Sequence, residues 1–216
     1  MSPAVQLFRS RTSIVTVLLV GLTLALQSCL FTRSEKKEEP PDPELLKPQV
    51  AMSEDYIRSK PGDLLAFMPK GWFLIDVEGK VSSDIVAVAV NNDYTLSMVI
   101  QTLRSNDLVR QTVSKEGLIG LARIAFEKRS RKTANSVRLM NAIDKQDFGL
   151  RTFGYYEFST DSTDSTAARA RSVVLVSSSD NYYEVSLVPT TITTAKLPEE
   201  SEMKKIFHSI VVMLQY

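Results

Sequence analysis

Residues 84–103 read DIVAVAVNNDYTLSMVIQTL. The run 84–90, DIVAVAV, is strongly apolar and rich in β-branched residues, as a central strand requires. Residues 91–93, Asn-Asn-Asp, are turn formers. Residues 94–103, YTLSMVIQTL, form a second run rich in β-branched and aromatic residues. Two such runs around a short polar turn predict a β-hairpin. The hairpin makes this a sheet protein, and the flanking sequence supplies the other elements.

Upstream, residues 64–68 (LLAFM) are a short apolar run, 69–71 (PKG) a turn signal and 72–77 (WFLIDV) another strand. Downstream the period changes. In 114–132, SKEGLIGLARIAFEKRSRK, the residues Leu118, Leu121, Ala122, Ala125 and Arg129 recur at i, i+3, i+4, i+7 and i+11, which is one stripe of a helix. Gly117 and Gly120 weaken its first turns by up to about 1 kcal/mol each relative to Ala, and they suit close packing against a sheet. The basic finish, Lys128, Arg129, Arg131 and Lys132, complements the negative end of the helix. Contact with anionic headgroups is the functional alternative for those charges.

Strands resume at 137–148, 150–159, 170–179 and 182–190, with tight turns between the first two and the last two. Between the middle pair lies STDSTDSTAARA, 159–170, a low-complexity loop. Its Asp161 and Asp164 suggest a calcium loop only weakly, since no downstream Glu completes a ligand set. Near the end, Pro198 followed by Glu199, Glu200 and Glu202 marks a helix start. Met203, Ile206, Phe207 and Ile210 form its apolar stripe, and Val211 to Leu214 reads as a last strand. The predicted fold is α+β: an antiparallel meander sheet of about six to seven strands flanked by helices.

The totals agree with one domain and a spacer. The chain has 216 residues, 44% of them hydrophobic and 24% charged, which excludes a wholly disordered chain and a polytopic membrane protein. The net charge is +1, and Arg9 and Arg11 are the only charged residues before Cys29, so the remainder carries −1. A near-neutral chain is poorly suited to gripping nucleic acid, which takes many phosphate contacts. No nucleic-acid partner is expected.

The N-terminal residues carry an address. Residues 1–13 are basic and free of acids, 14–26 (IVTVLLVGLTLAL) are uncharged and nearly all apolar, and small Ser28 precedes the single cysteine, Cys29. This is the layout of a secretory signal peptide, residues 1–28. The apolar run is short for a span of about 20 residues. A single N-terminal anchor helix is the alternative. Residues 29–60 then read as a charged, proline-rich linker, with Pro40, Pro41, Pro43 and Pro48 blocking regular structure. A binding peptide is the other reading of that segment, and Met52–Lys60 suggests a short helical turn at the domain edge. The globular domain is expected over 61–216.

Two resemblances follow from these residues. Leu26-Gln27-Ser28-Cys29 resembles the lipobox of bacterial lipoproteins. That resemblance implies cleavage between Ser28 and Cys29 and a diacylglyceryl group on the Cys29 thiol. Each buried methylene of such chains contributes roughly 0.8 kcal/mol, and two or more chains hold a protein stably on a membrane it does not cross. Leu30 after the cysteine, by the sorting rule of some Gram-negative lipoproteins, favours the outer membrane over the inner. The domain would face the periplasm or cell exterior. Separately, the element order resembles the Mog1/PsbP-like fold. Phe67-Met68-Pro69-Lys70-Gly71-Trp72 is similar to that family's opening aromatic-x-Pro-x-Gly-Trp turn, and Ile206-Phe207-His208-Ser209-Ile210 to its closing stretch. The resemblance implies a binding or assembly protein with no shared catalytic set. No cofactor and no metal are expected.

The residues themselves offer little chemistry. His208 is the one histidine, and a zinc site normally needs several Cys or His ligands. No nucleophile elbow, zinc-protease or phosphate-loop motif occurs. Tyr155-Tyr156 and Tyr182-Tyr183 are candidates for lining a groove, but strand alternation sends one of each pair inward. The expected function is a non-enzymatic, lipid-anchored accessory protein that binds an envelope protein. The alternative is a carrier of a small apolar ligand or lipid in a groove between sheet and helices, and an envelope hydrolase is third. The first demands an exposed apolar patch or bare strand edge, the second an apolar pocket, the third convergent carboxylates.

Overall fold

The computed structural model describes residues 43–76, 79, 81–133, 136–159, 169–190 and 195–216. Leu26, Gln27, Ser28 and Cys29 lie outside these residues, as do Asp161 and Asp164. In chain order the strands are β1 (Met52–Arg58), β2 (Leu65–Pro69), β3 (Phe73–Ile75), β4 (Ile85–Val90), β5 (Leu96–Leu103), β6 (Arg138–Leu139), β7 (Asp144–Phe148), β8 (Arg151–Ser159), β9 (Arg169–Val176) and β10 (Tyr182–Pro189). Helix α1 (Asp107–Lys132) separates β5 from β6, and α2 (Glu200–Val212) follows β10. No helix among the described residues is long and apolar enough to cross a membrane.

The hairpin that opens the sequence reading forms as β4 against β5, with Val88 opposite Val99 and Val90 opposite Ser97. Its turn is longer than expected. Tyr94 and Thr95 belong to the turn and not to the strand, because Asp93 Oδ1 accepts from the Thr95 amide at 3.2 Å and hydroxyl at 2.6 Å. The main sheet has eight strands in the order β3-β4-β5-β10-β9-β8-β6, with β7 also pairing with β8. It is therefore two antiparallel meanders, β3 to β5 and β8 to β10, joined edge to edge. The join is the pairing of β5 with β10, in register from Leu103–Tyr182 to Leu96–Pro189.

Both faces of the joined sheet are covered. On one face, Tyr156, Phe158, Val174 and Tyr182 pack against Leu121, Ala122 and Ala125 of α1. On the other, Phe153, Val173, Tyr183 and Val185 pack with Met203, Phe207 and Ile210 of α2 and with Ala66 and Met68 of β2. This corrects the expectation that one tyrosine of each pair faces out. Tyr182 and Tyr183 are both buried. Alternation along a strand exposes one face only where that face is uncovered.

Three further boundaries differ from the sequence reading. Residues 52–58 form β1, not a helical turn, and pair with β2. Ile57 is buried there, and the Tyr56 and Phe67 rings lie 5.8 Å apart. Just before it, Ser209 Oγ in α2 accepts from the amides of Gln49 at 2.7 Å and Val50 at 3.1 Å. The linker therefore does not run to residue 60, and the folded unit begins well before 61. At the other end, α2 continues through Val212 where a strand was expected, and beyond it Gln215 makes an isolated bridge with Leu65. Finally, 137–148 is two short strands, β6 and β7, rather than one.

Helix α1 is interrupted at Gly117, whose φ of 61° and ψ of −142° are accessible essentially to glycine alone. Its start is capped by Asn106, whose side chain accepts from the Val109 amide at 2.9 Å. The kink lets the Leu118 carbonyl come down onto the sheet at Gly154 of β8, where a Cβ would overlap it. The close packing expected of the helix glycines is thus provided by a glycine in the strand beneath.

Candidate functional site

Strand β3 ends the main sheet. It pairs with β4 on one side, with Phe73 opposite Val90 and Ile75 opposite Val88. Its other side has no strand partner among the described residues. Phe73, Leu74 and Ile75 are all exposed, so neither face of this strand is covered as β8 to β10 are. Unpaired edges with apolar side chains are templates for strand addition, and proteins usually blunt them with charge or proline. Here the three residues are Phe-Leu-Ile.

Aromatic side chains extend the patch on both sides. The Pro69–Gly71 turn, closed by the Trp72 amide to the Pro69 carbonyl at 3.1 Å, brings Trp72 to the rim of the core, half-buried. Tyr56 of β1 is 53% exposed and Tyr94 is 50% exposed. The Phe73 and Tyr94 rings meet edge to face at 5.5 Å. An open groove of about 450 Å³ runs between Tyr56, Met68, Trp72 and Leu74, and Glu54 and Asp55 form its acidic side.

Tyr94 is held in the left-handed region at φ 58°. That conformation costs an ordinary L-residue roughly 1–2 kcal/mol. Its amide donates to the Asn91 carbonyl at 3.0 Å, which fixes it at the hairpin tip. The side chain is presented outward, and Tyr94→Asn tests whether folding needs it. Asn tolerates the left-handed region, and that gain offsets the lost edge contact, worth about 0.5–1.5 kcal/mol. Urea titration is expected to place the variant within about 1 kcal/mol of wild type. A loss beyond about 2 kcal/mol would make Tyr94 a structural residue instead.

The other sequence candidates fall elsewhere. His208 sits in α2, half-buried, near the backbone of Leu45 and Lys47, with its Nε2 buried and without a hydrogen bond. Burial holds its pKa below the usual histidine value, and that backbone pulls it only partly back. Tyr155 faces the same cleft, and its hydroxyl donates to Glu157 Oε1 at 2.5 Å. Tyr156 is on the opposite face and donates to Glu184 Oε1 at 2.6 Å. Among the described residues, no group of three or more His, Cys, Asp or Glu is placed to hold a metal ion.

The groove along α1 measures about 710 Å³, large enough for a ligand, but half of its lining residues are charged. Asp84 there takes ion pairs from Lys128 at 3.1 Å and Arg104 at 3.3 Å. Burial raises the Asp84 carboxyl, but hydrogen bonding and the charges of these cations outweigh it and hold the pKa below the usual value. Such walls do not suit an apolar ligand or lipid tail.

Sequence reasoning did not single out Glu184 or the β3 edge. The signal for Glu184 was one acid in the otherwise apolar run YYEVSLV, with Arg129 on the inward stripe of the helix above. The signal for the edge was the shortness of its apolar stretch beside a turn, but edge position is a property of strand order.

No protein-family model matches the chain, and comparison with curated proteins finds no match. Solved structures match by fold. The solution structure of cyanobacterial PsbP (CyanoP) from Synechocystis aligns with a TM-score of 0.56 at 12% identity, covering 75% of this chain and 92% of that one. The Saccharomyces cerevisiae Ran-binding protein Mog1p aligns at a TM-score of 0.45 and 16% identity, covering 76% of this chain and 96% of that one. The architecture of this chain is similar to that of cyanobacterial PsbP: an antiparallel sheet with helices on its faces, the Mog1/PsbP-like α+β fold.

Proposed function

We propose that this chain is a lipid-anchored envelope protein, tethered through Cys29, that binds an extended segment of a protein partner along β3. The partner segment would add a strand to the free edge, set apolar side chains among Tyr56, Trp72, Leu74 and Tyr94, and place basic residues by Glu54 and Asp55. The observation that carries this reading is the uncovered Phe73–Ile75 edge, apolar on both faces. The anchor rests on the sequence of residues 1–29 alone. Tethering confines the search to the membrane surface and raises the effective concentration of the domain there. The outer membrane is the favoured location, with an accessory, non-enzymatic role.

The test uses the full chain in its native membrane, with a photo-crosslinking residue at Leu74 or, as control, at Leu150, which is 81% exposed far from this edge in the strand order. One dominant adduct is expected from position 74 and none from 150. It should fall at least tenfold when Ile75→Lys puts a charge on the edge, and likewise in Cys29→Ala. Equal labelling from both positions, or none from 74, overturns the edge as the interface. Mass spectrometry of the mature N-terminus checks the tether separately. An unmodified Cys29 on an uncut chain removes the anchor and leaves the edge result standing.

A further inference from the structure

On the face of the sheet covered by α2, a cleft of about 380 Å³ opens between β8, β9 and α2. Arg171 of β9 lies at its base with its side chain only 2% exposed. Its Nη2 donates to Glu200, and its Nε lies 3.4 Å from Glu157 Oε1 in an ion pair that makes no hydrogen bond. Its Nη1 is buried and makes no hydrogen bond, although the Tyr155 hydroxyl lies close enough to feel the guanidinium charge. Buried polar groups in folded proteins are almost always hydrogen-bonded, and an orphaned charged donor costs more than a neutral one. His208 adds a second buried, unpartnered nitrogen, Nε2, to the same cleft.

The charges around Arg171 nearly balance. Lys204 stands at the mouth, 63% exposed, with its Nζ 4.0 Å from Glu200 Oε1. Arg169 is 3.4 Å from Glu157 Oε2, and the Glu157 carboxylate also accepts from Tyr155. Three cations thus face two carboxylates, which leaves one positive charge uncompensated. A single negative charge fills that balance, whereas a dianion would meet Glu157 and Glu200. Phe148, Tyr155 and Phe207 form an aromatic wall, with the first and last rings 5.7 Å apart, and the amides of Gln49 and Gln146 complete the lining.

We infer that this cleft binds a small organic monocarboxylate with a flat or apolar body, its carboxylate on Arg171 Nη1 and Lys204, its body against Phe148, Tyr155 and Phe207. The volume is at the lower end of the range for small-molecule sites, about 300–1,000 Å³. The site lies on a different part of the molecule from the β3 edge, so its fate is independent of the proposed partner.

Benzoate is the probe, with benzamide as its neutral counterpart and inorganic phosphate as the competing anion. Each is titrated into the full chain, with the Arg171 side-chain N–H and the His208 ring followed by NMR. Benzoate is expected to give saturable shifts at both residues with a Kd in the low millimolar range or below. Benzamide should give none, and phosphate should bind at least tenfold more weakly. Lys204→Ala, a surface change that leaves the fold intact, should weaken benzoate binding three- to tenfold, and Arg171→Lys should abolish it. Should Arg171→Lys fail to fold, Lys204→Ala carries the test. Absence of saturation, equal binding of benzamide, equal binding of phosphate, or an unchanged Kd in Lys204→Ala each overturns the assignment.

Discussion

Glu184→Ala is expected to lower the unfolding free energy by about 3–5 kcal/mol, the cost of removing one partner from a buried ion pair. Glu184 has no exposed surface and sits mid-sheet on β10, beneath α1. Its Oε1 accepts from Arg129 Nη2 at 2.5 Å, Tyr156 Oη at 2.6 Å and Ser172 Oγ at 2.9 Å, and Oε2 accepts from Gln101. Arg129 is largely covered, its side chain 16% exposed, with its guanidinium 4.5 Å above the Phe158 ring. Removing the carboxylate leaves that cation and the three other donors without this acceptor. Natural domains have only about 5–15 kcal/mol to lose, so a large unfolded fraction is expected at 37 °C. Urea titration measures it. The double variant Glu184→Met with Arg129→Met should recover only the part due to the uncompensated Arg129 charge, because Tyr156, Ser172 and Gln101 still lack their acceptor. A loss below about 1 kcal/mol for Glu184→Ala would show that the pair is not desolvated as described.

The same carboxylate sets a pH dependence. Burial pushes its pKa up, but the Arg129 charge and the bonds from Tyr156, Arg129 and Gln101 outweigh burial and hold it below the ordinary 4.5. A folded-state pKa lower than the unfolded one stabilises the fold above the unfolded value and loses that contribution as pH falls toward the folded value. Stability should therefore fall as pH drops below about 4.5, and Glu184→Gln should remove about one proton's share of that slope.

Gly154→Ala is the second large effect. A Cβ at 154 would overlap the Leu118 carbonyl oxygen and come within 2.7 Å of Val174 Cγ2. The obstacle on one side is helix backbone, which no side-chain rotamer relieves. Overpacking of a tight core costs about 1–3 kcal/mol, and here relief requires shifting α1 off β8, so about 3 kcal/mol or more is expected. Guanidinium titration reads the loss. A shift below about 0.5 kcal/mol would mean that α1 does not rest on β8 at Gly154. Gly154→Val should be worse, since it adds bulk against Val174.

Much of the fold was legible before any coordinates. The apolar and β-branched runs within 84–103, 150–159 and 182–190 gave strands, and the stripe from Leu118 to Arg129 gave the helix that lies on them. Local periodicity reports which face of an element is buried, and it is written in the order of residues. It even placed Arg129 on the inward face of α1. Residues 52–58 were not legible, because Glu54, Asp55 and Arg58 continue the charged character of the preceding segment and only Ile57 is buried.

The sequence alone determined the antiparallel α+β class, the central hairpin and the inward faces of the two helices. Each depends on neighbours within a few residues. Tertiary structure alone decided that β5 joins β10, that β3 is left at the edge with Phe73, Leu74 and Ile75 exposed, that Arg129 meets Glu184 and that Arg171 and His208 line one cleft. These arrangements bring together residues far apart in the chain: Arg129 and Glu184 are 55 positions apart, and Leu96 and Pro189 are 93 apart. Loop closure over such distances is decided by the sum of the packed core, not by any local preference.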